Sequence, residues 1–192
     1  MRRLPPGSAG PRLTPPAYTD VRMTAAAPTL EAFPPILRAD TRLIVLGSFP
    51  GVASLEAQAY YAHPRNQFWP IVGQILGEPF PEMDYPERIQ RLLDHGVGLW
   101  DVYGACSREG SLDSAIRAPV PNDLARLTRE APGLRVIVHN GAESARRIRE
   151  TRALGVEALR LPSTSPANAR LSLTEKLEPW RDAFALAGLP GD

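Results

Sequence analysis

Four short apolar runs recur along the chain, and small or polar residues follow each of them. The runs lie at 42–47 (RLIVLG), 97–103 (VGLWDVY), 134–140 (LRVIVHN) and 156–162 (VEALRLP). Their length and their content of β-branched and aromatic residues are typical of buried strands. We therefore predict four strands at these positions.

Segments with helical spacing of apolar residues separate the runs. They predict helices at 66–76, 86–96, 121–133 and 141–151, and a last helix within 173–188. Asn122 is a candidate N-cap of the third helix, and Pro179 is expected to delay or bend the last one. Strands that alternate with helices indicate βαβ units, and hence a parallel sheet with helices on both faces.

In such sheets, ligands bind beyond the carboxyl ends of the strands. The segments that follow the predicted strands are GSFPG (47–51), DVYGACSREGS (101–111), HNG (139–141) and PSTSPANAR (162–170). The segment YYAHPRNQFWP (60–70) lies in the connection after the first strand and ends in a predicted helix. Polar, glycine-rich and aromatic residues should therefore gather at one rim of the sheet.

Composition restricts the class of protein. The 22 basic and 21 acidic residues nearly cancel, and residues 1–22 are net +3, so the remainder is net −2. An extensive basic surface for nucleic acid is therefore excluded, and any DNA contact must be local. Cys106 is the single cysteine and the three histidines are far apart, which argues against an intrachain disulfide, an iron–sulfur cluster or a zinc site.

The chain shows neither an apolar run of membrane-spanning length nor a secretory signal, so we expect a soluble cytoplasmic protein. Residues 1–28 are rich in proline, alanine and arginine without periodicity, and we predict that they are disordered. Residues 29–192 should form one domain.

The rim lacks several common catalytic patterns. No phosphate-binding loop, dinucleotide fingerprint or nucleophile elbow is present, and Asp101 stands alone as a rim carboxylate. What remains is a set of small residues, aromatic rings, amides, hydroxyls and isolated arginines. These groups suit a flat, polar, uncharged ligand such as a nucleobase.

The segments GSFPG, YYAHPRNQFWPI and PSTSPANAR, in this order and spacing, resemble the uracil-DNA glycosylase superfamily. Within it they are most similar to the hypoxanthine-DNA (deoxyinosine) glycosylases. The resemblance covers about residues 43–181. It implies a three-layer α/β/α sandwich with a four-stranded parallel sheet. It further implies a monomeric enzyme of base excision repair that acts on DNA containing a deaminated base, without a cofactor or a metal.

The resemblance also assigns candidate residues. Mismatch-specific relatives carry a water-positioning asparagine in the first motif, where this chain has Phe49, so Asn66 of the second motif becomes the catalytic candidate. Tyr61 aligns with a stacking aromatic residue, and the single lysine, Lys176, lies outside the motifs, which argues for a monofunctional enzyme. The base-binding candidates are Ser48, Phe49, Tyr61, His63 and Asn140, and the DNA-binding candidates are Arg65, Ser163, Ser165, Asn168 and Arg170.

Other interpretations remain open. Asn66 could simply cap a helix, Tyr61 could pack on the sheet edge, and the arginines could be solvated surface charges. The enzyme could also prefer uracil or xanthine, or be specific for mismatched bases. Without the first-motif asparagine, the pocket could instead bind a nucleic acid or a nucleotide without cleaving it.

Overall fold

A computed structural model describes residues 29–190, and the expected disorder of residues 1–28 lies outside the described residues. The central sheet has four parallel strands, in the order β3-β2-β6-β7. Their bounds are Leu43–Gly47 (β2), Val97–Asp101 (β3), Val136–Asn140 (β6) and Glu157–Leu161 (β7). The four predicted strands and their parallel arrangement are confirmed.

Side chains of the central strands alternate between two hydrophobic cores. In β2, Leu43 and Val45 lie in one core, whereas Ile44 and Leu46 lie in the other. A strand that is buried on both faces needs no polar positions, which explains the uninterrupted apolar sequence.

Helices cover both faces, so the fold is a three-layer α/β/α sandwich. Residues of α2 (Phe68–Leu76), α3 (Tyr85–Asp94) and α6 (Leu173–Leu186) contribute to the first core. Residues of α1 (Val52–Ala57), α4 (Arg126–Glu130) and α5 (Ile148–Arg152) contribute to the second. Pro70 lies in the first turn of α2, where the missing N–H is tolerated.

A second, antiparallel sheet was not predicted. It has the order β1-β4-β5, with β1 at Thr29–Glu31, β4 at Tyr103–Ser107 and β5 at Arg117–Pro121. The predicted strand 97–103 was therefore too long, because the chain leaves the central sheet after Asp101. The exposed sequence RAPVP of β5 contains two prolines and has no amphipathic pattern, so its strand character is not visible locally.

Each predicted helix overlaps an observed one, but the predictions for 121–133 and 141–151 were too long. In 121–133 only Arg126–Glu130 is α-helical, and the N-cap of this helix is Ala125 rather than Asn122. The side-chain amide of Asn122 instead donates to the carbonyl of Asp101 (2.9 Å). In 141–151 a 3₁₀ turn, Ser144–Arg147, precedes α5.

The last helix, α6, is neither delayed nor interrupted by Pro179. Its start is fixed by a capping box, in which Ser172 accepts from the backbone N–H of Glu175 and the Glu175 side chain accepts from that of Ser172. These two hydrogen bonds satisfy backbone donors that a helix start leaves unpaired.

Candidate active site

The carboxyl ends of the four parallel strands line one cavity of about 810 Å³. Gly47 pairs with Asp101 across β2 and β3, and Asn140 pairs with Leu161 across β6 and β7. All four residues line the cavity. The cavity therefore lies where the strand pattern predicts a ligand site.

Most of the predicted site residues lie on this cavity. Arg65 and Arg170 do not line it; both are exposed, and each flanks a lining residue in sequence. Arg160, which the sequence pattern did not single out, lines it as an exposed cation. The predicted residues that line it are Ser48, Phe49, Tyr61, His63, Asn66, Asn140, Ser163, Ser165 and Asn168.

Asn66 lies at the entrance to α2, and its side chain is half-buried. Its Oδ1 accepts a hydrogen bond from the backbone N–H of Phe68 (2.9 Å), the contact expected of a residue that stabilises a helix start. An amide oxygen has two lone pairs, and the amide nitrogen carries two further donors. The contact with Phe68 thus fixes the orientation of the carboxamide and leaves hydrogen-bonding capacity toward the cavity.

Tyr61 has a left-handed backbone conformation (φ 57°), which is uncommon for a residue other than glycine. Its ring stacks on Phe68, with 4.0 Å between centroids and 23° between planes. The hydroxyl accepts from Nδ2 of Asn140 at 3.3 Å. Burial raises the pKa of Tyr61 well above its usual value, so the hydroxyl stays neutral. Backbone, ring and hydroxyl together hold an aromatic surface at the cavity wall.

Asn140 joins the end of β6 to the loop after β7. Its Oδ1 accepts from the backbone N–H of Thr164 (2.9 Å), and its Nδ2 donates to Oγ1 of Thr164 (2.9 Å). The carbonyl of Thr164 in turn accepts from the backbone N–H of Gln67 (3.0 Å). Thr164 is fully buried. These hydrogen bonds connect three segments of the cavity wall: the end of β6, the loop after β7 and the start of α2. They use both the oxygen and the nitrogen of the Asn140 amide.

The loop after β7 is shaped by its own polar side chains. The Ser163 hydroxyl accepts from the backbone N–H of Ser165 (3.2 Å), and the Asn168 amide donates to the Ser163 carbonyl (3.0 Å). The buried Lys176 ammonium donates to the carbonyl of Asn168 (2.9 Å) and to Oε1 of Gln67 (2.7 Å). The loop is therefore held in a defined conformation before any ligand binds.

The loop after β2 is held by the segment that follows β4. The Ser48 hydroxyl donates to a carboxylate oxygen of Asp113 (2.5 Å). The guanidinium of Arg108 lies over the Phe49 ring, 5.1 Å from its centroid, and donates to the carbonyl of Pro50. Phe49 itself is buried, so it contributes an apolar wall and cannot orient water.

His63 lies on the cavity before the turn that enters α2. Its Nδ1 accepts from the backbone N–H of Arg65 (3.1 Å). A ring nitrogen that accepts a hydrogen bond carries no hydrogen, so this contact assigns the hydrogen to Nε2. Nε2 is then a donor that a ligand can use.

Asp101 was noted in the sequence as a lone rim carboxylate, without a role. Asp101 lines the cavity and is 2% exposed, and its Oδ2 is buried without a hydrogen-bond partner. Tyr60 is its neighbour, and the Tyr60 hydroxyl lowers the pKa of Asp101 by hydrogen bonding, although the two groups lie outside the geometry of an ordinary hydrogen bond. Burial raises the pKa of Asp101 to about 7. An ionisable residue at the carboxyl end of an apolar strand was the signal that could have identified it.

Residues 29–190 contain neither a membrane-spanning helix nor a metal-binding cluster of side chains. The helices in this range are all too short or too polar to cross a membrane. Within the same range, no group of three or more histidine, cysteine, aspartate or glutamate side chains is arranged to hold a metal ion.

Comparison with known proteins agrees with the fold. The sequence model of the uracil DNA glycosylase superfamily matches residues 34–184, which is most of the chain. The chain therefore belongs to the uracil DNA glycosylase superfamily.

Individual relatives support the same assignment. The chain is 38% identical to a hypoxanthine DNA glycosylase of Methanosarcina barkeri, covering 80% of this chain and 97% of the relative. It is 40% identical to a hypoxanthine DNA glycosylase of Methanosarcina acetivorans, covering 79% and 96%. The solution NMR structure of a Methanosarcina acetivorans protein described as a uracil DNA glycosylase superposes with a TM-score of 0.76 at 37% identity, covering 83% of this chain and 99% of that one.

Proposed function

We propose that this protein is a monofunctional DNA glycosylase that hydrolyses the N-glycosidic bond of deaminated bases in base excision repair, chiefly that of hypoxanthine. The observation that carries the proposal is the presence of Tyr61 and Asn66 on one cavity at the carboxyl ends of the sheet. Similarity to two hypoxanthine DNA glycosylases supports hypoxanthine as the substrate base.

The cavity suits a base that has left the DNA stack. Its volume of about 810 Å³ lies within the range of about 300–1,000 Å³ that is usual for small-molecule sites. Flipping a base costs a few kcal/mol, and less for a mispaired one. Stacking of the flipped base on the Tyr61 ring contributes about 1–3 kcal/mol of binding free energy. Phe68 stacks on one face of this ring and so holds it in position for the base.

Hydrolysis then needs a positioned water and a way to stabilise the departing base. Asn66 holds the water that attacks C1′, and its contact with Phe68 keeps the carboxamide in place. Negative charge develops on the base as the bond breaks. The Nε2 hydrogen of His63 and backbone amides near Ser48 are donors on the cavity wall that stabilise this charge.

The DNA strand would pass over the loop after β7. Ser163, Ser165 and Asn168 give this loop its shape, and its exposed neighbour Arg170 is available to a phosphate. Arg65 lies on the segment that enters α2 and is also exposed. A few local cations of this kind fit a protein whose overall charge is nearly neutral.

The position of Lys176 supports hydrolysis without a lyase step. Its ammonium is buried and donates to Gln67 and Asn168, so it does not line the cavity and cannot form a Schiff base there. We infer that the enzyme acts as a monomer. Light scattering of the protein bound to a short duplex would show a 1:1 complex.

The experiment is single-turnover incubation with duplexes that contain one hypoxanthine, uracil or xanthine, followed by heating in alkali. We expect strand breaks at hypoxanthine with the highest rate, and only after the alkali treatment. Breaks without alkali would refute monofunctional action. Faster cleavage at uracil would reassign the base, and no cleavage of any duplex would indicate a binding protein that does not catalyse.

A further inference from the structure

We propose that Asp101 is a second catalytic residue, which in its neutral acid form donates a hydrogen bond to the carbonyl oxygen O6 of the flipped hypoxanthine while the N-glycosidic bond breaks. The inference rests on the proposed function, and it assigns a role that neither the sequence motifs nor the relatives supply.

The first observation is the position of the carboxyl group. Asp101 is the last residue of β3, in register with Gly47 of β2, and it lines the cavity although it is 2% exposed. A Cβ atom at Gly47 would overlap with Oδ1 of Asp101, so the glycine leaves the room that the carboxyl group occupies. Oδ2 is buried without a partner. A buried polar atom without a partner is rare in a folded protein, and at a cavity it points to a ligand that completes it.

The second observation concerns the charges around this carboxyl group. The charge of Arg108 favours the ionised form; its guanidinium donates to the Pro50 carbonyl and lies over the Phe49 ring, and its buried Nε and Nη1 have no hydrogen-bond partner among the described residues. The hydroxyl of Tyr60 lowers the pKa of Asp101 by hydrogen bonding, whereas the charge of Asp113 raises it. Burial is the largest influence, and it raises the pKa of Asp101 to about 7. The carboxyl group is therefore largely protonated at mildly acidic pH and loses its proton just above neutrality.

The chemistry of the leaving base favours the protonated form. When the C1′–N9 bond breaks, its electron pair leaves with the base and is shared with O6. The attacking water bonds to C1′ and gives up one proton, and the free base takes up one proton. An acid O–H directed at O6 stabilises the developing charge, and the carbonyl oxygen of the same carboxyl group can accept from the adjacent N1–H of hypoxanthine. An ionised carboxylate offers no donor and repels the departing anion.

The test is the pH dependence of kcat/KM for hypoxanthine excision, because that quantity reports the free enzyme. The wild-type rate should be constant below neutrality and fall about 30-fold between about pH 6 and about pH 8.5, as expected for a required acid with a pKa of about 7. Asp101→Asn retains a donor and an acceptor of the same shape. Because asparagine cannot ionise, the excision rate of the variant should be independent of pH over this range, so the alkaline fall is lost.

Two control variants make the outcome decisive. Asp113→Asn changes another carboxyl group that lines the cavity and should keep the alkaline fall. Asp101→Leu removes the donor and should be slow at every pH, with circular dichroism to confirm that it is folded. Ionisation of the substrate itself is common to all of the variants, so it cannot produce a difference between wild type and Asp101→Asn.

Other results would overturn the assignment. If Asp101→Asn is inactive at every pH, the carboxylate acts as a base toward water rather than as a donor to the leaving base. If Asp101→Asn keeps the alkaline fall, or if active wild-type enzyme shows none, Asp101 is not the titrating catalytic group. A wild-type protein that releases no hypoxanthine would instead refute the proposed function, so the two failures are distinguishable.

Discussion

Replacing Asp101 by asparagine should stabilise the fold at alkaline pH while changing little in acid. The carboxyl group is buried and lacks a partner for Oδ2, so its ionised form is unfavourable in the folded protein. In the unfolded chain the same group ionises freely. Asparagine has nearly the same shape and no charge to bury.

The magnitude follows from the difference between the pKa in the two states. The ordinary value is 3.8 and the folded value is about 7, which corresponds to about 4 kcal/mol of unfolding free energy at 1.36 kcal/mol per pH unit. Because the folded pKa is the higher one, this stability is fully present below pH 3.8 and is lost as the pH rises through about 7. Roughly 3 kcal/mol of the loss falls between about pH 5 and about pH 8.5.

Urea unfolding of wild type and Asp101→Asn at those two pH values measures the effect. The advantage of the variant should grow by about 3 kcal/mol from the acidic to the alkaline condition, which is on the order of 10 °C in melting temperature for a domain of this size. The matched control is Asp94→Asn. Asp94 is solvent-exposed, and the hydrogen bond from Arg38 lowers its pKa, so its removal should bring no alkaline gain.

The difference between variant and wild type cancels titrating groups that do not interact with Asp101, such as the buried His139. An advantage of Asp101→Asn that is the same at both pH values would refute the reasoning. That result would mean that Asp101 does not change its ionisation between the folded and unfolded states in this range.

The remaining predictions concern the cavity wall and the DNA-binding surface. Tyr61→Phe should keep most activity, because it removes only the 3.3 Å hydrogen bond with Asn140, whereas Tyr61→Ala should abolish binding of the flipped base; equal activity of both in single-turnover assays would remove Tyr61 from the pocket. Lys176→Met should lower the unfolding free energy by about 1–3 kcal/mol, because it leaves buried acceptors unpaired, and an unchanged melting curve would contradict the hydrogen bonds described. Replacing Arg65 and Arg170 together by alanine should weaken the salt dependence of DNA binding. The slope of the logarithm of the DNA association constant against the logarithm of salt concentration should decrease in magnitude by about 0.9 for each phosphate of duplex DNA that the two arginines neutralise. An unchanged slope would exclude both arginines from phosphate binding.

Much of the fold could be predicted from sequence because the central strands are buried on both faces. A run such as LIVLG can be identified as a buried strand without knowing which strands pair with it. The alternation of such runs with helices predicts a parallel sheet. The small antiparallel sheet could not be predicted, because the exposed strand Arg117–Pro121 owes its conformation to pairing with β4. Pro179 did not delay α6, because the capping box at Ser172 and the burial of Trp180 and Phe184 outweigh one missing hydrogen bond.

For the site, the sequence predicted which residues lie on the cavity better than it predicted their hydrogen bonds. Strand order explains why Asn140 and Asp101 share an edge with Gly47, but only the structure shows which side-chain atoms already have partners. Asn140 was selected as a base-binding residue, and both ends of its amide are engaged with Thr164. Asp101 was given no role, and its Oδ2 lacks a partner. Local sequence cannot distinguish these cases, because hydrogen-bond partners come from distant segments. The roles of the individual site residues stay predictions.

The measurement that tests the central claim most directly is release of the free base. Wild-type protein and Asn66→Ser are incubated in excess with an inosine-containing duplex, and free hypoxanthine is quantified chromatographically over time. Serine can still accept from the backbone N–H of Phe68, so it should preserve the helix start, but its short hydroxyl cannot hold water where the carboxamide does. We predict that wild type releases one hypoxanthine for each abasic site and that Asn66→Ser melts normally but releases it about 10²–10³-fold more slowly, a decrease typical of removing one positioned polar group. No hypoxanthine from wild type, or near-normal release by the variant, would contradict the account.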